Sequence, residues 1–160
     1  MDAKVIWRGG LSFNGTANTG FLVPVGADAS VGGANDGSRP MELLAIGLAG
    51  CTAMDVISIL QKKRQEVTDF EVQTHLERRE SHPRVFTQAV IEYLVTGHNV
   101  DETAVVRAIE LSATTYCSAQ AMFSKLMPIE IKYHIYEDLG DGQRDLITSG
   151  IYTQAEQVAS

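Results

Sequence analysis

At 160 residues the chain has the size of one domain and can bury a core without disulfide staples or a structural metal. Its 13 basic and 20 acidic residues leave a net charge of −7. That argues against a partner held by phosphate neutralisation and against docking on an anionic membrane surface.

The N-terminus, Met1 to Arg8, has no charged-then-apolar leader, so no secretory signal and a cytoplasmic location are expected. Lys4 to Trp7, Leu11 to Phe13 and Phe21 to Val25 read as three short strands separated by glycine-rich turns. Gly26 to Ser38 is rich in Gly, Asn, Asp and Ser and reads as a loop. A long helix is expected from Pro40 to Lys63. Proline suits its first turn, Ser38 or Arg39 precedes as cap, and Glu42 and Lys62 match the helix dipole. Nearly every residue between is apolar or small, and a helix apolar all round is buried all round. Its charge-free core, Leu43 to Met54, is twelve residues, too short to cross a bilayer.

Phe70, Val72, Thr74 and Leu76 alternate with polar residues, as do Val85, Thr87, Ala89, Ile91, Tyr93 and Val95. Ser81-His82-Pro83 supplies the turn, so these two strands form a hairpin. Helices are expected over 101–116 and, briefly, over 118–126, before a last strand carrying Ile129, Ile131, Tyr133 and Ile135. The order predicts an α+β architecture of antiparallel sheets with helices on one side. We expect one domain over 1–136 and a polar C-terminal extension over 137–160, poorly ordered or strapped over the surface. The long helix needs more cover than these sheets supply, which predicts a homodimer with the first helices near its centre.

Two cysteines do not make a disulfide framework. Cys51 lies mid-helix between Gly50 and Thr52, and Cys117 sits at the break between the second and third helices. Small buried hydrophobes are the commonest role of such residues. A reactive role has two supports: Cys117 lies at a helix N-terminus, which favours a thiolate, and Cys51 has small neighbours that leave room for a second sulfur or a substrate. Against it, Asp55 shares the face of Cys51, and a carboxylate disfavours a neighbouring thiolate. Arg39 stands about 18 Å away along the helix, so a cation for Cys51 comes from Arg8, from another loop or from a partner subunit.

His75, His82, His98 and His134 lack metal-ligand spacing, and no CxxC, nucleotide-binding loop or nucleophile elbow is present. No bound cofactor or metal is expected.

The run Pro40-Met41-Glu42-Leu43-Leu44, the segment Gly47 to Cys51, and Met54-Asp55-Val56 together resemble the central helix of the OsmC/Ohr family, bacterial thiol-dependent hydroperoxide reductases. Leu111 to Cys117 resembles that family's second cysteine region. The Pro-Met-Glu helix start is most similar to the YhfA-type branch. The resemblance covers residues 3–136 and implies an intertwined homodimer, its central helices wrapped by antiparallel sheets. It also implies that Cys51 attacks a hydroperoxide to give a sulfenic acid, that Cys117 resolves it to a disulfide, and that an external dithiol, of lipoyl type in related enzymes, reduces that disulfide. Apolar surroundings would favour organic hydroperoxides over hydrogen peroxide. The alternative is a redox sensor or apolar-ligand binder with little turnover. Two positions depart from the best-studied branches. Met41 stands where their helix carries the arginine-pairing Glu, with Glu42 one residue on. Phe13-Asn14-Gly15 stands where the Ohr branch carries its arginine. Arg39, Glu42, Arg8 and Asp55 are the candidate supporting residues.

Overall fold

Alternation and turn chemistry set the elements of the computed structural model, which describes residues 1–153. The chain divides into two units, Met1–Ile46 and Gly47–Ser160.

In the first unit β1 (Ala3–Gly9), β2 (Ser12–Ala17) and β3 (Val23–Val25) form an antiparallel sheet in that order. The predicted three strands are present, with β2 lying further along the chain than expected. The loop predicted over 26–38 contains one 3₁₀ turn, Ala29–Val31, capped by Asp28, whose side chain accepts from the Ser30 N–H. Helix α1 (Pro40–Lys62) starts at the end of this loop. The Arg39 N–H donates to Glu42 Oε2 at 2.9 Å, one half of a capping box.

Of α1, only Leu48, Thr52, Val56 and Leu60 are buried, one stripe at a spacing of four. Leu44, Ile46 and Met54 are 48%, 60% and 69% exposed. The expectation of a helix buried on every side is therefore not met within one chain. Across an 18-residue stretch its mean hydropathy is 2.0, so by length and composition α1 passes the test for a membrane-crossing helix, which the charge-free run alone did not.

In the second unit the sheet order is β4 (Glu66–Arg78), β5 (Phe86–His98), β6 (Ile129–Gly140), β7 (Gln143–Tyr152). The predicted hairpin is present, and its faces are in register: Phe70, Val72, Thr74 and Leu76 stand opposite Val95, Tyr93, Ile91 and Ala89. On the other side Ile129, Ile131, Tyr133 and Ile135 align with Ala89, Ile91, Tyr93 and Val95. One apolar face thus runs across three strands. Leu48, Val56 and Leu60 of α1 pack in the same core, with Ala104, Val105, Ala108 and Ile109 of α2 (Glu102–Leu111).

Two expectations are corrected here. The β5–β6 pair is parallel, so the sheet is mixed. Parallel neighbours need a crossover connection, and residues 99–128, which carry α2 and α3 (Ser118–Phe123), supply it. The stretch after Tyr136 is not loosely ordered as far as Tyr152: β6 runs on to Gly140, and β7 turns back along it. Arg144 of β7 covers the Tyr136 ring, 4.2 Å from its centroid. The last seven residues of the expected extension lie outside the described residues.

The helix expected over 101–116 also differs. It is regular to Leu111 and then widens into a π-helical turn, Ser112–Tyr116, closed by the Cys117 N–H on the Ser112 carbonyl at 2.9 Å. Such turns recur where a helix must re-aim a side chain.

Candidate functional site: two thiols and a carboxylate

Two chain segments far apart in sequence build the site. Cys51 and Asp55 are one turn apart on α1, so their side chains share a face. Cys117 follows the π-helical turn with extended backbone and caps α3, its Sγ accepting from the Gln120 N–H at 3.4 Å. The two sulfurs and an Asp55 carboxylate oxygen all lie within 4.8 Å of one another. Cys117 is buried, while Cys51 and Asp55 are half-buried, so the cluster is reached from one side.

Burial is the largest influence on Cys117 and pushes its thiol well above the ordinary value. The Gln120 and Ala119 N–H groups pull the other way without overcoming it, and the neighbouring Cys51 adds to the rise. The helix-terminus argument for a Cys117 thiolate is thereby corrected: burial outweighs the dipole, and this sulfur is a thiol at neutral pH.

Behind the cluster runs a buried chain of polar groups that the sequence reading missed. Thr52 Oγ1 meets Ser112 Oγ and Gln120 Nε2, each at 2.8 Å, and also the Tyr93 hydroxyl. Ser112 Oγ donates to Asp55 Oδ2 at 3.1 Å. A hydroxyl has one proton. Since Ser112 spends its own on Asp55, Thr52 donates to Ser112 and accepts from Gln120 and Tyr93. The bonds therefore point one way, from Tyr93 to the carboxylate. Burial pushes the Tyr93 hydroxyl up to about 12, so it remains a donor. Among the described residues no buried side-chain polar atom lacks a partner. One signal for this chain was present in the sequence: Thr52 is a polar residue four from Leu48 and four from Val56, on the buried stripe.

The other predicted supporting residues belong to the first unit. Arg39 donates to Asp28 at 2.6 Å, to Asn35 at 2.9 Å and to Glu42 at 3.4 Å. Asp28 is held at about 2, mainly by the Ser30 N–H and hydroxyl and then by Arg39. Glu42 is occupied twice at the helix start. Arg8 faces the side-chain amide of Asn14, with Nε and Nη2 at 3.1 and 3.2 Å from its oxygen once the amide is oriented to accept. Arg39, Glu42 and Arg8 thus serve loop and strand contacts. Asp55, in the second unit, is found with the sulfurs.

The family model described as "OsmC-like protein" matches residues 33–132, which hold both cysteines, Asp55 and the polar chain behind them. The chain belongs to the OsmC family. Its OsmC-like fold extends beyond that match. Protein YhfA of Escherichia coli K12 is 39% identical over 135 residues, covering 84% of this chain and 98% of YhfA. A hypothetical protein from Aquifex aeolicus VF5 is 29% identical with a TM-score of 0.75, covering 86% of this chain and 96% of that one. The organic hydroperoxide resistance protein OhrB of Bacillus subtilis shares the fold, with a TM-score of 0.55 at 20% identity, over 83% of this chain and 98% of OhrB. In this OsmC-family chain the thiol pair is accompanied by a carboxylate that a serine hydroxyl orients.

Proposed function

We propose that this OsmC-family protein is a thiol-dependent peroxidase acting on organic hydroperoxides, with hydrogen peroxide as the poorer oxidant. The observation that carries the reading is the approach of Cys51 and Cys117 Sγ to within 4.8 Å, beside Asp55. Cys51 is the half-buried, reachable sulfur and takes the attacking role. Its thiolate attacks the terminal peroxide oxygen and the O–O bond breaks. Cys51 becomes a sulfenic acid, and the departing alkoxide takes a proton to leave as alcohol. Cys117, a buried thiol, then displaces hydroxide from the sulfenic sulfur. Its proton leaves with that hydroxide as water, and the Cys51–Cys117 disulfide remains. An external dithiol, of lipoyl type, restores both thiols and leaves as its own disulfide. Asp55 sits where it can accept the proton of Cys51 and return it to the alkoxide.

The apolar α1 face that one chain leaves open is assigned to a second copy, so the working form is a homodimer, in the cytoplasm, with neither nucleic acid nor membrane as partner. Gly47 and Gly50 support this, since a Cβ at either position meets nothing within 4 Å in one chain and another backbone can approach closely. The cation that favours the Cys51 thiolate is assigned to that assembly.

The test is stoichiometric. Reduced protein is mixed with one equivalent of tert-butyl hydroperoxide or hydrogen peroxide, quenched, and measured by intact mass and peptide mapping. Rapid loss of two hydrogens with a Cys51–Cys117 linkage, absent in Cys51→Ser, is the expected result. Thiols still reduced after minutes in a folded protein would refute it. A second reading, a redox sensor or apolar-ligand binder with little turnover, is favoured by two observations. Arg39 and Glu42 are committed to the loop and helix start, and the same unit carries an apolar groove of 470 Å³ lined by Val5, Phe21, Val23, Val25 and Leu43. Under that reading the disulfide forms once, but excess dithiol sustains no cycling.

A further inference from the structure

We infer that the reduced protein binds one thiophilic divalent cation, zinc in the first instance, between Cys51 Sγ, Cys117 Sγ and the Asp55 carboxylate. Three such donors with a fourth position open is the ligand count of zinc sites that keep an exchangeable position. Tetrahedral zinc, with Zn–S of about 2.3 Å and Zn–O of about 2.0–2.2 Å, sets its ligands about 3.5–3.8 Å apart. The three donor atoms lie within 4.8 Å of one another, so side-chain rotation of about an ångström closes the set. The donors also have the fixed surroundings that metal ligands need. Ser112 Oγ donates to Asp55 Oδ2 and holds the carboxylate's rotation, leaving lone pairs for a cation. Gln120 N–H donates to Cys117 Sγ and fixes its direction. Half-buried Cys51 and Asp55 leave the entry side open, while buried Cys117 closes the back.

Binding displaces one proton from each thiol. With two thiolates and one carboxylate the bound site carries a net charge of −1, and its open position takes water. Metal and disulfide draw on the same two sulfurs, so each excludes the other: zinc holds the reduced form, and oxidation releases it. The ligand set stands on the three side chains alone. A protein that bound zinc when titrated but, freed of metal, left peroxide intact would uphold this inference and refute the proposed function.

Reduced full-length protein, kept free of oxygen, is titrated with Co²⁺ and then with Zn²⁺. Expected are a thiolate-to-cobalt charge-transfer band and tetrahedral ligand-field bands that saturate at one Co²⁺ per chain and are bleached by one Zn²⁺. Ser112→Ala, which leaves all three ligands, weakens Co²⁺ binding about 10- to 100-fold. Cys51→Ser lowers the charge-transfer intensity by about half, one of the two thiolates being gone. No variant is needed for the second readout, in which saturating Zn²⁺ slows alkylation of the half-buried Cys51 in the wild-type protein. Absence of the band in reduced wild type, full intensity in Cys51→Ser, or alkylation unchanged by Zn²⁺ would each overturn the site.

Discussion

Thr52 offers a quantitative test of the buried polar chain. Its hydroxyl is wholly buried and has three partners, accepting from Tyr93 and Gln120 and donating to Ser112. Thr52→Val keeps the shape and removes the hydroxyl. The consequences at the three partners differ. Gln120 Nε2 retains Tyr93 at 3.3 Å, and Ser112 retains Asp55 at 3.1 Å. The Tyr93 O–H loses its sole acceptor inside the core, while Gln120 keeps one of its two. A net hydrogen bond is worth about 1 kcal/mol, and an orphaned buried donor costs about 1–3 kcal/mol. Two lost bonds and one orphan give about 3–5 kcal/mol for Thr52→Val. Thr52→Ser keeps all three bonds and loses one buried methyl, about 1 kcal/mol. Both numbers come from urea unfolding of the reduced protein followed by circular dichroism, provided the slope of free energy against urea is unchanged. A Val variant as stable as the Ser variant would show that the hydroxyl contributes nothing and would refute the one-way chain.

Gly97 stands opposite Val67 in the β4–β5 pair, and a Cβ there would meet the Glu66 carbonyl oxygen at 2.1 Å and Val100 Cγ2 at 2.8 Å. Gly97→Ala should destabilise by about 3 kcal/mol; a urea midpoint unchanged from wild type would contradict the packing. Gly50→Leu has open space in one chain, so its expected effect is on the proposed assembly: sedimentation velocity should show dimer for wild type and monomer for the variant at the same concentration, and a dimer unaffected by the substitution removes α1 from that interface. The pH dependence follows from Cys117 and Tyr93, both raised by burial. Each contributes stability that is fully present below its unfolded-state pKa, about 8.5 for thiol and about 10 for phenol, because the folded state keeps a proton that the unfolded state gives up above it. Stability of the reduced protein should therefore fall above about pH 8.5, by at most about 1.4 kcal/mol per pH unit from Cys117, and more steeply above about pH 10. Cys117→Ala should abolish the first part of the fall; a flat wild-type profile from pH 8 to 10 would show that the thiol is not buried as described.

The strands β4, β5 and β6 were legible because one face of each is buried or, in β4, half-buried, and period-two alternation is what such one-sided burial writes into a sequence. Strand β7 was not, because most of it is exposed at the sheet edge: Leu146 and Ile147 are consecutive apolar residues, both exposed, and no alternation marks a face. The parallel β5–β6 pair was hidden for another reason. Alternation tells which residues share a face, whereas strand direction follows from where the connection over 99–128 returns. The two cysteines stood out by rarity and position. Asp55 was placed by helix spacing, since its contact with Cys51 is local. Ser112 and Gln120 reach Thr52 from 60 and 68 residues away, and the π-helical turn that brings Cys117 round has no periodic signature.

The parallel pairing of β5 and β6 also sets an order of events during folding. Cys51 belongs to a helix that forms locally, and the β4–β5 hairpin closes over a short turn. Cys117, Ser112 and Gln120 all lie in the crossover, whose closure must wait until β6 has been synthesised and has found β5, the slow class of contact. Until then the thiol on α1 stands without its carboxylate-bound serine and without its partner sulfur. The nascent chain therefore carries an exposed cysteine that the native protein half-covers, open during that interval to pairing with the wrong thiol wherever the surroundings are oxidising.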